Sequence, residues 1–440
     1  MFCSNLRPVR ILYNLLFPVF FLLSAPYYFW KMWRRGGWRR GFSERFGRIE
    51  EGKLQALSGA KVLWLHAVSV GEVNVSLQLI AALRPRLAGW KFLVSTTTST
   101  GMGELEKKLP ADVQRLYYPV DFPWSVSRAL DAARPAAVVL VEAEFWPNFL
   151  WQVRARGLPV FLANARVSDK SFRGYRRGAF LFRELFGNFA AVGAQNDADA
   201  ARLGELGCRA NAIYVTGNAK FDAATPTGGA TLDVPALLRP LGVPDDAQLL
   251  VAGSTHAGEE ILLARMFLRL RERFPKLFLV LVPRHFERTA AVVEELRPTG
   301  IRLALRTELA DGKVSAPGSV DGLLVNTTGE LRHFYRHATV VFVGKSLTAK
   351  GGQNPIEPGA LGKAMIFGPH MENFRPIAAE FMACDGAVQV PDAAALEAAF
   401  ATLLSDTARR DQLGANALGV VRRNEGAADR TAEMIARALR

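Results

Sequence analysis

Residues 61–74 read KVLWLHAVSVGEVN, a short apolar run that breaks into a glycine-containing loop and then opens an amphipathic stretch. A β-rich run followed directly by a helical pattern is the unit of a parallel sheet covered by helices. The same alternation recurs in KFLVSTT (91–97), AAVVLVE (136–142), PVFLANA (159–165), FAAVGAQ (189–195) and AIYVTG (212–217). A second series follows in QLLVAGS (248–254), LFLVLVP (277–283), GLLVNT (322–327), TVVFVG (339–344), KAMIFG (363–368) and AVQV (387–390). Residues 223–244 between the series are rich in Gly, Pro, Thr and Ala with little periodicity, and read as a linker. The expected architecture is therefore two α/β halves, 51–222 and 245–440, the latter including the C-terminal helices, behind an N-terminal segment 1–50. A ligand is expected in a cleft between them, at the carboxyl ends of the strands.

The 440 residues are half apolar, enough for two cores of about 150–200 residues each. The net charge of +14 suggests nucleic acid until it is located. Residues 1–48 hold nine Lys or Arg against one acid, so more than half of the excess sits beside the apolar N-terminus. That placement points to anionic lipid headgroups, not to nucleic acid. Cys3, Cys208 and Cys384 are far apart and form no CxxC pair, which excludes a disulfide framework or a thiolate metal site and fits a reducing compartment.

Residues 11–29 (ILYNLLFPVFFLLSAPYYF) carry no charge over about the length of a hydrocarbon core. Asn14, Pro18 and Pro26 weaken a straight spanning helix, and a cleaved signal is the rival reading. No small-x-small site follows. Instead Lys31, Arg34, Arg35, Arg39 and Arg40 come at once, interleaved with Trp30, Trp33 and Trp38, the composition of a membrane interface. The segment reads as a spanning or deeply inserted anchor, with everything downstream on the cytoplasmic side.

Several motif readings fail on their residues. Gly344, Lys345 and Ser346 resemble the end of a phosphate loop, but Thr339 stands where its first glycine is required. Asp197, Ala198 and Asp199 match a DxD metal pattern, yet they open a helix, where the dipole favours acids. The six histidines form no HExxH spacing, so no metal site is expected. Arg166, Lys170, Arg173, Arg176 and Arg177, with Phe172 and Tyr175, make either a solvated helix face or a site for a polyanion. Asn354, Pro355 and Glu357 suit a helix start, and the glycines before them also suit a nucleotide site. Glu72, Glu142 and Glu144 all follow predicted buried strands and are general-base candidates by location, with capping or ion pairing as the ordinary alternative. Position alone does not choose between them.

In order along the chain, nine segments resemble the 3-deoxy-D-manno-octulosonic acid (Kdo) transferases of lipid A biosynthesis: HAVSVGE (66–72), VEAEFWPN (141–148), NARVSDKSFRGYRR (164–177), GNAKFD (217–222), GSTHAGEE (253–260), VPRHFER (282–288), GELRHFY (329–335), GGQNPIEP (351–358) and FGPHMENF (367–374). The resemblance implies a GT-B fold of two Rossmann-like domains, with an acceptor-binding N-terminal half and a C-terminal half that binds CMP-Kdo. It implies an N-terminal anchor in the cell inner membrane, the lipid A precursor lipid IVA as acceptor, and no cofactor. It makes Glu72 the general base, with Glu142 and Lys220 stabilising the transition state. It places donor contacts at Pro283, Arg284, Thr328, Gly329, Glu330, Asn354, Pro355, Ile356 and Glu357. The cationic run 166–177 then becomes the surface to meet the acceptor's phosphates.

The sequence departs from that family at Gln353, where members commonly have His, and at Ala143, where Thr is frequent. Gln keeps hydrogen-bonding ability but cannot carry charge. Two other classes compete. Non-hydrolysing sugar-nucleotide epimerases share the two-Rossmann architecture, but they act on soluble substrates and leave the anchor without a purpose. A catalytically silent membrane tether has no need of Glu72, Arg284 and Glu357.

Overall fold

Strand pairing is parallel throughout in the computed structural model, which describes residues 6–34, 41–142, 145–222, 232–310 and 316–440. Arg35, Trp38, Arg39, Arg40, Ala143 and Glu144 lie outside the described residues, as does the 223–231 part of the expected linker. The chain forms two compact units, Met1–Ala223 with Asn424–Arg440, and Ala224–Arg423.

The first unit runs α1 (Leu6–Arg34), α2 (Glu51–Leu57), β1 (Val62–His66), α3 (Val70–Leu83), β2 (Lys91–Thr96), α4 (Ser99–Lys108), β3 (Gln114–Tyr117), α5 (Pro123–Ala133), β4 (Ala137–Val141), α6 (Pro147–Ala155), β5 (Val160–Ala165), α7 (Asp169–Arg177), α8 (Ala179–Gly187), β6 (Ala191–Ala194), α9 (Asp197–Glu205) and β7 (Ile213–Val215). Its sheet has the order β3-β2-β1-β4-β5-β6-β7. Strand β1 explains the layering: Val62 and Trp64 enter one core, Leu63 and Leu65 the other, and the whole strand is buried. Covered on both faces, it reads as a continuous apolar run with no polar alternation.

The second unit runs α10 (Val234–Leu238), β8 (Gln248–Thr255), α11 (Glu259–Arg273), β9 (Leu277–Pro283), α12 (Thr289–Leu296), β10 (Leu303–Leu305), α13 (Arg306–Ala310), β11 (Gly322–Leu324), α14 (Leu331–His337), β12 (Val340–Val343), α15 (Ile356–Ala360), β13 (Met365–Phe367), α16 (Arg375–Ala383), β14 (Val388–Gln389), α17 (Ala393–Ser405) and α18 (Thr407–Asn424). Its sheet order is β10-β11-β9-β8-β12-β13-β14. The order reverses at β1/β4 in the first sheet and at β8/β12 in the second. A doubly wound sheet binds ligands beyond the strand ends at such a point.

Two boundaries differ from the sequence reading. Helix α19 (Ala427–Leu439), expected in the second half, packs on α3, β5 and β6 of the first unit, where Ala432, Ile435 and Ala436 join the core with Leu63 and Leu65. From residue 232 the expected linker is part of the second unit, since Val234 and Leu238 are buried and α10 packs against α14. One helix among the described residues, through Pro8–Tyr27 of α1, is long and apolar enough to cross a membrane.

Candidate active site

In the first unit the switch point lies between the ends of β1 and β4, which lead into HAVSVGE and into Glu142. Ser69 caps α3, its Oγ accepting from Glu72 N–H at 3.3 Å, while Glu72 reaches back: Oε1 accepts from Ser69 Oγ at 2.8 Å and Oε2 from Val68 N–H at 2.7 Å. This is a reciprocal cap related to the capping box, with the acid reaching one residue further back, and it holds the Glu72 carboxylate in one orientation at 8% exposure. Glu142 sits in the left-handed region at φ 65° and the facing Asn164 at φ 53°. Non-glycine residues are uncommon there and persist where their surroundings fix them.

Lys220 Nζ lies 2.5 Å from Glu142 Oε1. A Cβ placed on Gly71 would lie 3.5 Å from Lys220 Cε and 3.9 Å from its Nζ. The lysine therefore bridges from Glu142 to the turn that carries Glu72, and the three residues proposed for chemistry share one locus. Asn164 ties that locus together, since its Oδ1 accepts from Ala219 N–H at 3.0 Å and its Nδ2 donates to Glu142 at 3.4 Å. Behind Lys220, Asp222 accepts from the N–H groups of Gly426 and Ala428 at 2.7 Å each, at the start of α19. Burial raises the Asp222 carboxyl while those donors pull it down. Val75, Val141, Ala219, Ala427 and Ala428 form a small core beneath. Sequence reading missed Asn164 and Asp222 as supports, because their partners lie 55 and about 200 residues away.

Lys170, Arg173, Arg176 and Arg177 line the exposed face of α7, and Arg166 is half-buried before it. Among the described residues no acid forms an ion pair with these five cations, whereas Asp169 pairs with Arg202. Phe172 and Tyr175 turn inward against the core. Asp199 of the DxD-like sequence accepts from Val167 N–H at 2.8 Å in the capped first turn of α9, as the helix-dipole reading expects.

In the second unit the loops after β8, β9 and β12 converge. Glu259, fully buried, accepts four backbone N–H bonds: His256 at 2.9 Å and Lys345 at 2.7 Å on Oε2, Ser346 at 2.9 Å and Leu347 at 3.0 Å on Oε1. One carboxylate thus clamps two loops at the switch point, where Ser254 and Lys345 both take φ 55°. Its neighbour Glu260 accepts from Thr255 Oγ1 and from Arg288. Both acids lie in GSTHAGEE, where their local sequence signals only a helix start and not the loop they hold.

Pro283 ends β9, and Arg284 is exposed just past it, its N–H donating to Thr255 O at 3.0 Å. Glu357 lies in the field of both Arg284 and Arg332; burial raises its carboxyl, while Asn354 and the two arginines lower it. Pro355 and Ile356 are buried beneath. Three of the quoted motifs therefore meet at Glu357. Arg332, absent from the sequence candidates, has a buried Nε with no hydrogen-bond partner among the described residues. Thr328 and Gly329 are exposed in a turn with Gly329 at φ 84°. Glu330 is held by Arg306 at 2.9 and 3.0 Å and by Thr327 Oγ1 at 2.8 Å. The helix expected to begin at Pro355 begins at Ile356 and has five residues, and Asn354 Oδ1 accepts from Ile356 N–H. So short a helix supplies little dipole, and the positive field there comes from the arginines.

Two parallel, doubly wound sheets with their candidate groups at the switch points define a two-Rossmann, GT-B-like fold. The fold is shared with a putative UDP-N-acetylglucosamine 2-epimerase from Listeria monocytogenes (TM-score 0.55, 15% identity, 84% of this chain and 94% of that one) and a glycosyltransferase from Rickettsia africae (TM-score 0.52, 13% identity, 87% and 99%). Residues 40–223 match the family model for 3-deoxy-D-manno-octulosonic-acid transferase. The transferase of that name from Bordetella pertussis is 35% identical over 425 residues, 93% of this chain and 96% of that one. The one from Haemophilus influenzae is 30% identical over 401 residues, 90% and 91%. The chain belongs to the Kdo transferase family, and it is a Kdo-transferring glycosyltransferase.

Proposed function

We propose that the chain moves Kdo from CMP-Kdo to lipid IVA in lipopolysaccharide biosynthesis, on the cytoplasmic side of the cell inner membrane, with inversion at the anomeric carbon. The observation that carries this reading is the single locus of Glu72, Glu142 and Lys220 at the carboxyl ends of β1 and β4. In the reaction an acceptor hydroxyl oxygen bonds to the anomeric carbon of Kdo and its proton passes to Glu72. The bond from that carbon to the phosphate oxygen of CMP breaks, and CMP leaves with the electron pair. One displacement at one carbon inverts it. The bonds from Val68 N–H and Ser69 Oγ hold the Glu72 carboxylate in one orientation and so fix its aim.

Lys220, held by Glu142, offers a fixed cation to the carboxylate of Kdo or to charge developing on the leaving group. The donor is assigned to Pro283, Arg284, Thr328, Gly329, Glu330, Asn354, Pro355, Ile356 and Glu357, with Arg332 added because its guanidinium is incompletely satisfied. Arg166, Lys170, Arg173, Arg176 and Arg177 are assigned to the acceptor's phosphates, and α1 to anchoring the protein on the membrane that presents the lipid.

The test is incubation of the purified full-length protein with CMP-Kdo and lipid IVA, followed by the mass of the lipid. Lipid gaining no Kdo while CMP-Kdo stays intact overturns the assignment of substrates. Glu72→Gln preserves the capping geometry, so a loss of about 10²-fold or more in kcat is expected with CMP affinity unchanged. Ser69→Ala, which removes the hydroxyl that orients Glu72 Oε1, should cost stability and lower turnover by less than Glu72→Gln does. Normal turnover in Glu72→Gln would place the base elsewhere.

A further inference from the structure

Helix α1 has two unlike faces. Tyr13, Phe17 and Phe21, four residues apart, lie with Asn14 against the first unit. Tyr13 Oη donates to Asp121 Oδ2 at 2.9 Å, and Asn148 Nδ2 donates to Asn14 Oδ1 at 2.7 Å. Phe17 meets Phe122 and Trp146 edge-on, and Phe21 meets Phe122. Asp121 is 1% exposed and also accepts from the N–H groups of Asn148 and Phe149, in the first turn of α6. The pins thus end on the framework of the domain itself. On the other face Leu12, Leu15, Leu16, Val19, Leu22 and Leu23 are 52–79% exposed.

A helix that crosses a bilayer needs lipid around about 20 residues over roughly 30 Å of hydrocarbon. Here the middle of the apolar window is held against a surface bearing a carboxylate and an asparagine side chain, groups that hydrocarbon rejects. A helix lying in the interface instead buries one apolar stripe about 5–10 Å deep. Interfacial helices ordinarily have a polar second face. In α1 the docked domain takes its place, which accounts for Tyr13 and Asn14 within an otherwise apolar run.

From the Phe17 and Phe21 contacts with Phe122 an aromatic row leads out to the surface of the unit. Phe122 stacks on Trp124 with centroids 5.8 Å apart, and Trp124 on Phe46 at 5.9 Å. Trp124 is 50% exposed, with the Arg128 guanidinium 5.5 Å from its ring. Half-exposed indole beside a cation is the chemistry of the headgroup layer.

We infer that α1 lies flat along the first unit, pinned by Tyr13 and Asn14 to Asp121 and Asn148, and that its leucine stripe and the Phe122–Trp124–Phe46 row form one surface seated in a single leaflet of a phospholipid bilayer. This rests on the membrane-anchor reading and replaces a spanning geometry with an in-plane one.

The full-length protein, with Cys3, Cys208 and Cys384 changed to Ser, is reconstituted into vesicles of phosphatidylethanolamine and phosphatidylglycerol. In that background Leu12→Cys, Leu16→Cys, Val19→Cys, Leu23→Cys and Trp124→Cys, made one at a time, carry nitroxides whose depth is read from oxygen and nickel-chelate relaxation. The in-plane geometry gives all five positions similar shallow depths, about 5–10 Å. Labels at 16 and 19 near the bilayer centre, about 15 Å deep, with 12 and 23 in opposite leaflets and 124 in water, would overturn this inference and leave the anchor. Water exposure at every position would overturn the anchor reading as well.

Discussion

Replacing Glu259 with Gln removes one charge and turns one oxygen into an NH2 group, at a position where four backbone N–H groups converge at 2.7–3.0 Å. The amide oxygen can keep two of those donors. The other two face hydrogens in place of a lone pair, and at full burial no water replaces it. Leaving a buried donor unsatisfied costs about 1–3 kcal/mol, so two cost about 2–6 kcal/mol, partly offset because a charge is no longer desolvated. We take about 3–4 kcal/mol as the net weakening of the clamp. Because a two-unit chain need not unfold in one step, the local assay is hydrogen–deuterium exchange of the peptides spanning 256–259 and 344–352. Protection there should fall by about 10²–10³-fold, each 1.4 kcal/mol being tenfold, and CMP should bind more weakly through the same loops. Glu272→Gln, exposed on the same helix, is the control and should change nothing beyond about 0.5 kcal/mol. Exchange in Glu259→Gln within threefold of the parent would refute the clamp.

Lys220→Met leaves Glu142 without its cation and should lower kcat by about 10²-fold or more with CMP affinity intact; a loss under threefold in steady-state kinetics would remove Lys220 from the transition state. Gly253→Ala puts a Cβ 2.0 Å from Tyr335 Oη and 2.9 Å from Leu331 Cδ1, an overpacking that should destabilise the second unit by about 1–3 kcal/mol in urea unfolding. Adding Tyr335→Phe should recover part of the loss, and an unmoved midpoint in the single variant would contradict the packing. Burial raises the Asp121 carboxyl from 3.8 to about 7 against the donors Asn148, Tyr13 and Phe149. Its folded value exceeds its unfolded one, so the native state keeps a proton that the unfolded chain releases. The contribution is full below about pH 4 and is lost as pH rises to about 7, by up to about 1.4 kcal/mol per unit. Asp121→Asn should flatten that slope in pH-dependent melting, and parallel curves for parent and variant would rule it out.

The central strands were legible because both their faces are buried, so runs such as VLWLH and LFLVLVP contain no polar interruption. The two strands the sequence reading missed, β3 and β10, are edges of their sheets. Strand β3 opens with the half-buried Gln114 and Arg115, and only the middle residue of β10 is buried, so neither shows a continuous apolar run. The boundary error at α19 has a different origin. Its apolar stripe announced a partner, but nothing local specified that the partner was α3, more than 340 residues earlier. At the site, the capping pattern of Ser69 and Glu72 was readable from spacing. The left-handed turns at Glu142 and Asn164 were not, since neither is glycine. Two acids directly after Gly258 signal a helix start, and only the fold brings the 345–347 loop over Glu259.

Helix α19 belongs to the unit that begins the chain but is made after the second unit. Synthesis at about 5–20 residues per second separates the two parts of that unit by the whole of Ala224–Arg423, a delay of roughly 10–40 s. Throughout it α1 can already engage lipid, while the segment carrying Lys220 lacks the N–H groups of Gly426 and Ala428 that hold Asp222. With α1 and Lys220 in the roles proposed above, a ribosome stalled within the second unit would leave on the membrane a protein that is anchored yet unable to set its lysine, so attachment would precede competence.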